Sequence, residues 1–327
     1  MPFSKPRIAV VLMQLGGPDS LEAVEPFLYN LFTDPDIIDF PFARIAREPL
    51  ARFIASRRSK KVQHHYAEIG GKSPILELTT IQAQKLEAEL SKSVDVKAFV
   101  AMRYWHPLTE ETISEIKREE FDEIILLPMY PQHSKTTSGS SLNEWDRKTS
   151  AVGLDSIQTH VIKHFHDSPS YVEAVVERID EALVRFVNAN PGDIFLLFSA
   201  HGVPQSVIDS GDPYKAQVEE TVMLVTERGG WKSPHLLCWQ SKVGPSAWLK
   251  PYLHKTIPQL AHQGVKNLLV IPIAFVTDHI ETLYEIDIEA REQAMRLGIT
   301  QFQTMPALND SPTFIKGLAE LVLEQTQ

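Results

Sequence analysis

Residues 266–295 read KNLLVIPIAFVTDHIETLYEIDIEAREQAM, and this stretch decides the fold. Leu268 to Ala274 is an apolar run with the length and β-branched content of a strand buried on both faces, as in a parallel sheet covered by helices. The run turns through Val276 and Thr277 into a helical pattern, and the chemistry begins at that turn. Carboxylates recur at Asp278, Glu281, Glu285, Glu289 and Glu292, in steps that share one helix face. No Lys or Arg falls between 278 and 290, so the acids have no cationic partner within the run and a cation would relieve their repulsion. An acidic stripe is ordinarily a solvated helix face. Position favours another reading, because ligands of open parallel α/β sheets bind beyond the carboxyl ends of strands, where these acids begin with His279 among them. Carboxylate oxygen with imidazole nitrogen suits a hard or borderline cation.

The alternation of apolar strand and helix extends through the chain. Strands are expected near 7–15, 95–103, 123–130, 155–161, 193–199, 235–240, 266–274 and 301–305, with helical patterns at 74–92, 109–119, 168–188, 213–227 and 310–325. Short strands joined by helical crossovers imply parallel sheets. The expected fold class is α/β, with two doubly wound domains, each holding a mainly parallel four-stranded sheet flanked by helices. The boundary falls near His164 to Ser168, which gives domains 1–165 and 166–327 and makes the last helix a candidate to pack back on the N-terminal domain. No sequence repeat marks the duplication.

With 327 residues, 43% hydrophobic and 23% charged, the chain has a globular composition rather than a disordered one. The single cysteine, Cys238, excludes an internal disulfide framework, a cysteine-rich zinc site and a four-cysteine iron–sulfur cluster held by this chain alone. No apolar run approaches the ~20 residues of a membrane-spanning helix, and the first residues pass into a strand without a small-residue cleavage site. A cytoplasmic location is expected, peripheral at the inner face of a membrane if the chain docks there. The net charge of −10 argues against nucleic acid as a partner. One segment opposes that charge: between Arg44 and Lys61, seven cations face only Glu48, a local balance of +6, interleaved with Ile45, Leu50, Phe53 and Ile54 and preceded by Ile37, Phe40 and Phe42. Residues 37–61 could meet an anionic lipid surface or a flat apolar ligand bearing carboxylates, or form a core-facing helix with snorkelling arginines.

Several short motifs carry no chemistry. LGGPDS at 15–20 lacks the GxGxxG of a dinucleotide site. GGKS at 70–73 has Tyr66 where a phosphate loop needs glycine, and reads as a helix stop followed by a new helix. SKTTSGSS at 134–141 is either a set of cleft-lining hydroxyls or a plain polar loop. FLLFSAHGVP at 195–204 is different: a buried strand broken by Gly202 and Pro204, with His201 on the loop at its carboxyl end. A lone histidine is usually structural, but this is a second chemical cluster at a strand end. GxSxG is absent, so an acid/base or metal role suits His201 better than a hydrolase triad.

SAHGVP around His201, FVTDHIETLYEID at 275–287, YPQHSKTTSGSSL at 130–142, CWQSKVGPSAWL at 238–249, RYWHPLTEE at 103–111 and LGGPDSLEAVEPFLYNLFTDPDIID at 15–39 resemble the signatures of the ferrochelatase family. The resemblance runs in family order over almost the whole chain. It implies two Rossmann-like domains, protoporphyrin IX and ferrous iron as substrates, haem as product, and His201 and Glu281 as iron-binding and catalytic residues. Members with an iron–sulfur cluster carry extra cysteines, so none is expected here and no organic cofactor is needed. Metallation requires stripping water from the ion and removing two pyrrole protons. A neutral His201 can accept a proton, while Glu281, with Glu285 and Glu289 behind it, can replace lost water ligands. The residues leave open which of His201 and Glu281 handles iron and which handles protons. Arg103, Tyr130 and Trp248 are candidate porphyrin-wall residues, and 37–61 a candidate lip. The alternatives are a chelatase acting on coproporphyrin or inserting cobalt, and a non-catalytic two-domain metal-binding protein.

Overall fold

The computed structural model describes residues 6–37, 43–154 and 156–326. The chain divides into two compact units, Met1–His164 with Ile315–Gln327, and Phe165–Phe314. In the first, β1 (Arg7–Gln14) is followed by α1 (Val24–Thr33), α2 (Ala43–Glu68) and α3 (Ile75–Leu90) before β2 (Asp95–Met102); α4 (Thr109–Ile116) leads to β3 (Glu123–Pro128) and α5 (Ser138–Val152) to β4 (Gln158–Val161). All pairings are parallel, in the order β2-β1-β3-β4. β1 is buried from Ile8 to Gln14 because its neighbours close both edges and helices cover the faces. Val11, Phe99, Ile113, Ile124 and Trp145 form part of its core.

The second unit repeats the plan. After α6 (Pro169–Leu183) come β5 (Ile194–His201), α7 (Gln205–Asp209), α8 (Tyr214–Gly229), β6 (His235–Gln240), α9 (Leu253–His262) and β7 (Asn267–Pro272). A π-helix, Glu281–Ala290, runs into α10 (Arg291–Arg296) and then β8 (Gln301–Thr304); the last helix, α11 (Pro312–Glu324), belongs from Ile315 onward to the first unit. The strand order is β6-β5-β7-β8, again all parallel. Leu197, Leu253, Ile257, Leu268, Ile286 and Phe302 pack in the core. In each unit the chain leaves the first strand toward one side and returns on the other for the third. The switch point therefore lies between β1 and β3, and between β5 and β7, beyond the carboxyl ends of those strands.

The expected α/β class with two four-stranded parallel sheets matches this architecture. Three details differ. β5 continues through His201, which pairs with Gln240 in the β5–β6 ladder, so the histidine ends the strand instead of occupying the loop. β7 stops at Pro272, two residues before Ala274. SKTTSGSS is neither a plain loop nor a row of open hydroxyls: α5 starts within it at Ser138, and Ser134, Ser138, Ser140 and Ser141 are buried.

GGKS does separate two helices, α2 from α3, with Gly70 and Gly71 at φ 101° and 86°, where a side chain would be strained. The strongly basic segment is largely α2. Ala51, Ala55, Ser59 and Tyr66 form its buried stripe, and small side chains let it lie close to α1. Arg52 and Arg58 rest over the Tyr29 and Phe32 rings at 5.3 and 5.5 Å. Leu50 and Phe53 point outward, Phe53 being 63% exposed. Phe40 and Phe42 lie outside the described residues.

Candidate active site

His201 ends β5 and Glu281 begins the π-helix that follows β7, so the switch point of the second unit brings them together from 80 residues apart. His201 Nδ1 lies 2.7 Å from Glu281 Oε2. An ionised carboxylate only accepts, so Nδ1–H is the donor, and the other nitrogen, Nε2, has no hydrogen bond among the described residues. The Tyr214 hydroxyl donates to the backbone carbonyl of His201 at 3.0 Å and fixes the strand end. The Trp248 ring stands 6.3 Å from the imidazole, tilted by 59°. Gly202 permits this approach, since a Cβ there would come within 3.3 Å of the Trp248 ring and 3.0 Å of the Gln240 carbonyl.

The carboxylates have their own supports. Ser241 Oγ lies 3.0 Å from Glu281 Oε2 and 2.5 Å from Glu285 Oε2. Gln240 Nε2 reaches Glu285 Oε2 and the Glu281 carbonyl, both at 3.3 Å, and Ser199 donates to Gln240 Oε1 from the buried side. His279 Nε2 stands 3.8 Å from Glu281 Oε1, while its Nδ1 donates to the Thr277 carbonyl.

Electrostatics separate the three groups. Burial alone would lower the pKa of His201, but the charge and hydrogen bond of Glu281 override it and hold the imidazole above its ordinary value. Burial pushes Glu281 up, yet His201 and His279 keep it well below the usual carboxylate range. Glu285 is pushed up to about 7, first by burial and then by the charge of Glu281. The repulsion foreseen between the acids is thus met by Ser241, Gln240 and a ready proton on Glu285.

The stripe itself is built differently from an α-helix. In an i→i+5 ladder a step of four falls just short of a turn, so Thr282, Ile286 and Ala290 line up as the buried row, and Glu281, Glu285 and Glu289 run beside them. This acidic row passes outward from Glu281, 14% exposed, to exposed Glu289, whose charge acts on His254. Asp278 does not belong to the row: it accepts from Thr282 Oγ1 at 2.8 Å and Asn309 Nδ2 at 2.7 Å, bracing the turn. Glu292 lies in α10 and pairs with Arg296.

Arg103 and Tyr130 belong to a second cluster, in the first unit. Arg103 follows β2, and its Nε donates to Ser140 Oγ at 2.8 Å while Nη2 meets Asp34 at 3.0 Å. Asp34 also accepts from the Tyr104 and Ser140 hydroxyls. Arg103 lines a polar hollow of about 170 Å³ with Asn30, Thr33, Thr109, Glu144 and Lys148. Tyr130 follows β3, and burial drives its pKa far up. The structure therefore gathers His201, Glu281, Glu285 and Trp248, sets Glu289 at the outer end of the row, and holds Arg103 and Tyr130 on the other unit's strand ends. Sequence reasoning missed Gln240, Ser241, Tyr214 and Asp34. For Gln240 and Ser241 a signal existed, since both stand at the carboxyl end of a strand.

The ferrochelatase family profile matches residues 7–326. The chain belongs to the ferrochelatase family. A ferrochelatase of Geotalea daltonii is 48% identical over 97% of this chain and 97% of that one. Another, from Trichodesmium erythraeum, is 47% identical over 97% of this chain and 82% of its own length. Among solved structures, SirB from Bacillus subtilis with Fe3+ superimposes with a TM-score of 0.56 at 12% identity, covering 98% of this chain and 96% of that one. At that identity the likeness is one of fold. Family membership gives the His201–Glu281 pair a reaction to be read against.

Proposed function

We propose that the protein is a lyase that inserts ferrous iron into protoporphyrin IX to form protohaem, the last step of haem synthesis, with His201 and Glu281 at the reacting centre. Family membership supports the activity, and one observation carries the assignment of roles: the 2.7 Å bond from His201 Nδ1 to Glu281 leaves Nε2 as an acceptor. In neutral His201 this lone pair can take a pyrrole proton, and the carboxylate behind the ring stabilises the imidazolium that forms. Glu281 stays ionised throughout, and Glu285, at about 7, can accept a second proton or give one up to hold the metal. Glu289 serves as the outer ligand on the way in. Trp248, beside the imidazole, bounds the ring-binding face, and Arg103 and Tyr130 contribute further porphyrin contacts. No resident cofactor is needed. Cys238, the one thiol of the chain, is buried with its pKa pushed up to about 12, which makes it a poor cluster ligand. Nucleic acid is not a partner of so acidic a chain. The protein acts in the cytoplasm, with the basic helix α2 touching anionic membrane. Among the described residues no helix is long and apolar enough to cross one.

The test is anaerobic metallation followed by ultraviolet-visible spectra, with ferrous iron and cobalt offered against protoporphyrin and coproporphyrin. Iron with protoporphyrin should be the preferred pair, and preference for cobalt or coproporphyrin would move the protein to another chelatase activity. His201→Ala should keep porphyrin binding, followed by fluorescence titration, while turnover falls by on the order of 10² or more. Near-normal turnover in that variant would overturn the assignment.

A further inference from the structure

Ser241 holds a backbone conformation that its residue type avoids: φ is +62°, and it is one of three described non-glycine residues with positive φ. It directly follows the last residue of β6. Had the chain stayed extended, the side chains of Gln240 and Ser241 would point to opposite faces. Both instead reach the same carboxylate, Gln240 Nε2 and Ser241 Oγ each touching Glu285 Oε2. The left-handed turn at Ser241 is what folds the second side chain back onto the side of the first. Its hydroxyl then sits between two carboxylates, with Glu281 Oε2 and Glu285 Oε2 on one oxygen. A serine hydroxyl has one proton to donate and so serves one carboxylate at a time, while its lone pairs face the same space. Backbone strain held at a functional centre persists where the surrounding structure over-determines it. Here the Gly202 amide, bonded to the Gln240 carbonyl, and the Ser199–Gln240 side-chain bond pin the preceding residue.

We infer that Ser241 is a positioning residue that sets the spacing of the Glu281 and Glu285 carboxylates for a divalent cation, and that its left-handed backbone exists to aim its hydroxyl. This rests on reading the site as one that handles ferrous iron. A merely structural serine would couple stability and metal handling, whereas a positioning serine separates them. Glycine relieves the backbone strain but lacks the hydroxyl. Threonine keeps the hydroxyl but suits the left-handed region worse.

Ser241→Gly should therefore melt no lower than the parent, yet bind zinc at the site about tenfold more weakly and raise the KM for ferrous iron more than that for porphyrin. Ser241→Thr should melt lower and keep the zinc affinity near the parental value. The zinc arm uses calorimetric titration, the site being identified as the zinc lost in Glu281→Gln, and requires no turnover. Parental zinc affinity and iron KM in Ser241→Gly, or an equal loss of zinc affinity in the glycine and threonine variants, would overturn the inference. If the parent chain binds zinc but metallates no porphyrin, the proposed activity falls, while the zinc comparison still decides the role of Ser241.

Discussion

His201 owes its basicity chiefly to Glu281, with a smaller contribution from the charge of Glu285. Its surroundings alone would make it a weaker base than free imidazole, and the Glu281 carboxylate reverses the sign. The same logic operates at Asp34, whose side chain is fully buried beside Arg103, itself 11% exposed. Burial would raise the Asp34 pKa, but the Ser140 and Tyr104 hydroxyls and the Arg103 charge bring it below the ordinary carboxylate value. A group with a depressed folded-state pKa contributes stability that is fully present above its unfolded value and is lost as pH falls through the folded one. Asp34→Asn takes the nearer carboxylate from the Arg103 cation, leaving only Glu144 at 3.9 Å, and should cost about 3 kcal/mol near neutral pH. Urea denaturation of both proteins from neutral to acid pH should show that gap closing on the acid side, and parallel curves throughout would show the pair to be unimportant. His201 and Glu281 were legible in the sequence because each sits where an apolar run breaks. Asp34 was not, since its partners Tyr104 and Ser140 lie 70 and 106 residues away and no local pattern announces them.

At the scale of the element, the acid row shows how far periodicity reaches. Steps of four are compatible with an α-helix, where they pass slightly beyond a turn, and with the wider π ladder, where they fall short of one. The spacing of Glu281, Glu285 and Glu289 thus identified a face without identifying the helix. Helices α5 and α9 do not stand out in the sequence pattern. In α5 the opening run of serines resembles a loop, and its packing side chains, Leu142, Trp145 and Thr149, come only later. In α9 Pro258 interrupts the pattern. The graded exposure of the acid row, from Glu281 outward to Glu289, suits delivery of a cation toward His201. Neutralising Glu285 and Glu289 together as glutamines should raise the KM for ferrous iron more than the KM for porphyrin, because ion delivery and not ring binding is affected. Steady-state kinetics with each substrate varied in turn checks this; a variant altered only in melting temperature would return the row to a solvated helix face.

At the scale of the whole molecule, two sheets with one strand order arise from sequences that share no visible repeat. A parallel strand buried on both faces asks only for apolar side chains of suitable shape, so β1, RIAVVLMQ, and β5, IFLLFSAH, fill equivalent places without matching residue for residue. Alternation therefore revealed the class and the number of strands, while it could not reveal which strand pairs with which. Charge is distributed with equal economy: a chain of net charge −10 gathers a balance of +6 between Arg44 and Lys61, most of it on α2. Arg52 and Arg58 rest on the rings of α1, but Leu50 and Phe53 face away, and on an acidic protein a cationic patch with an exposed phenylalanine suits an anionic lipid surface. Attraction of this kind is screened over about 30 Å at 0.01 M salt and about 8 Å at 0.15 M. Sedimentation with vesicles should accordingly show binding to anionic lipid that weakens between those two salt concentrations, and weaker binding to neutral lipid at both. Phe53→Ala should lower the anionic binding that remains at physiological salt, because the apolar contribution is not screened, and it should leave iron insertion in detergent solution unchanged. Equal binding to neutral and anionic vesicles, or a Phe53→Ala variant that binds as the parent does, would remove the membrane role from α2.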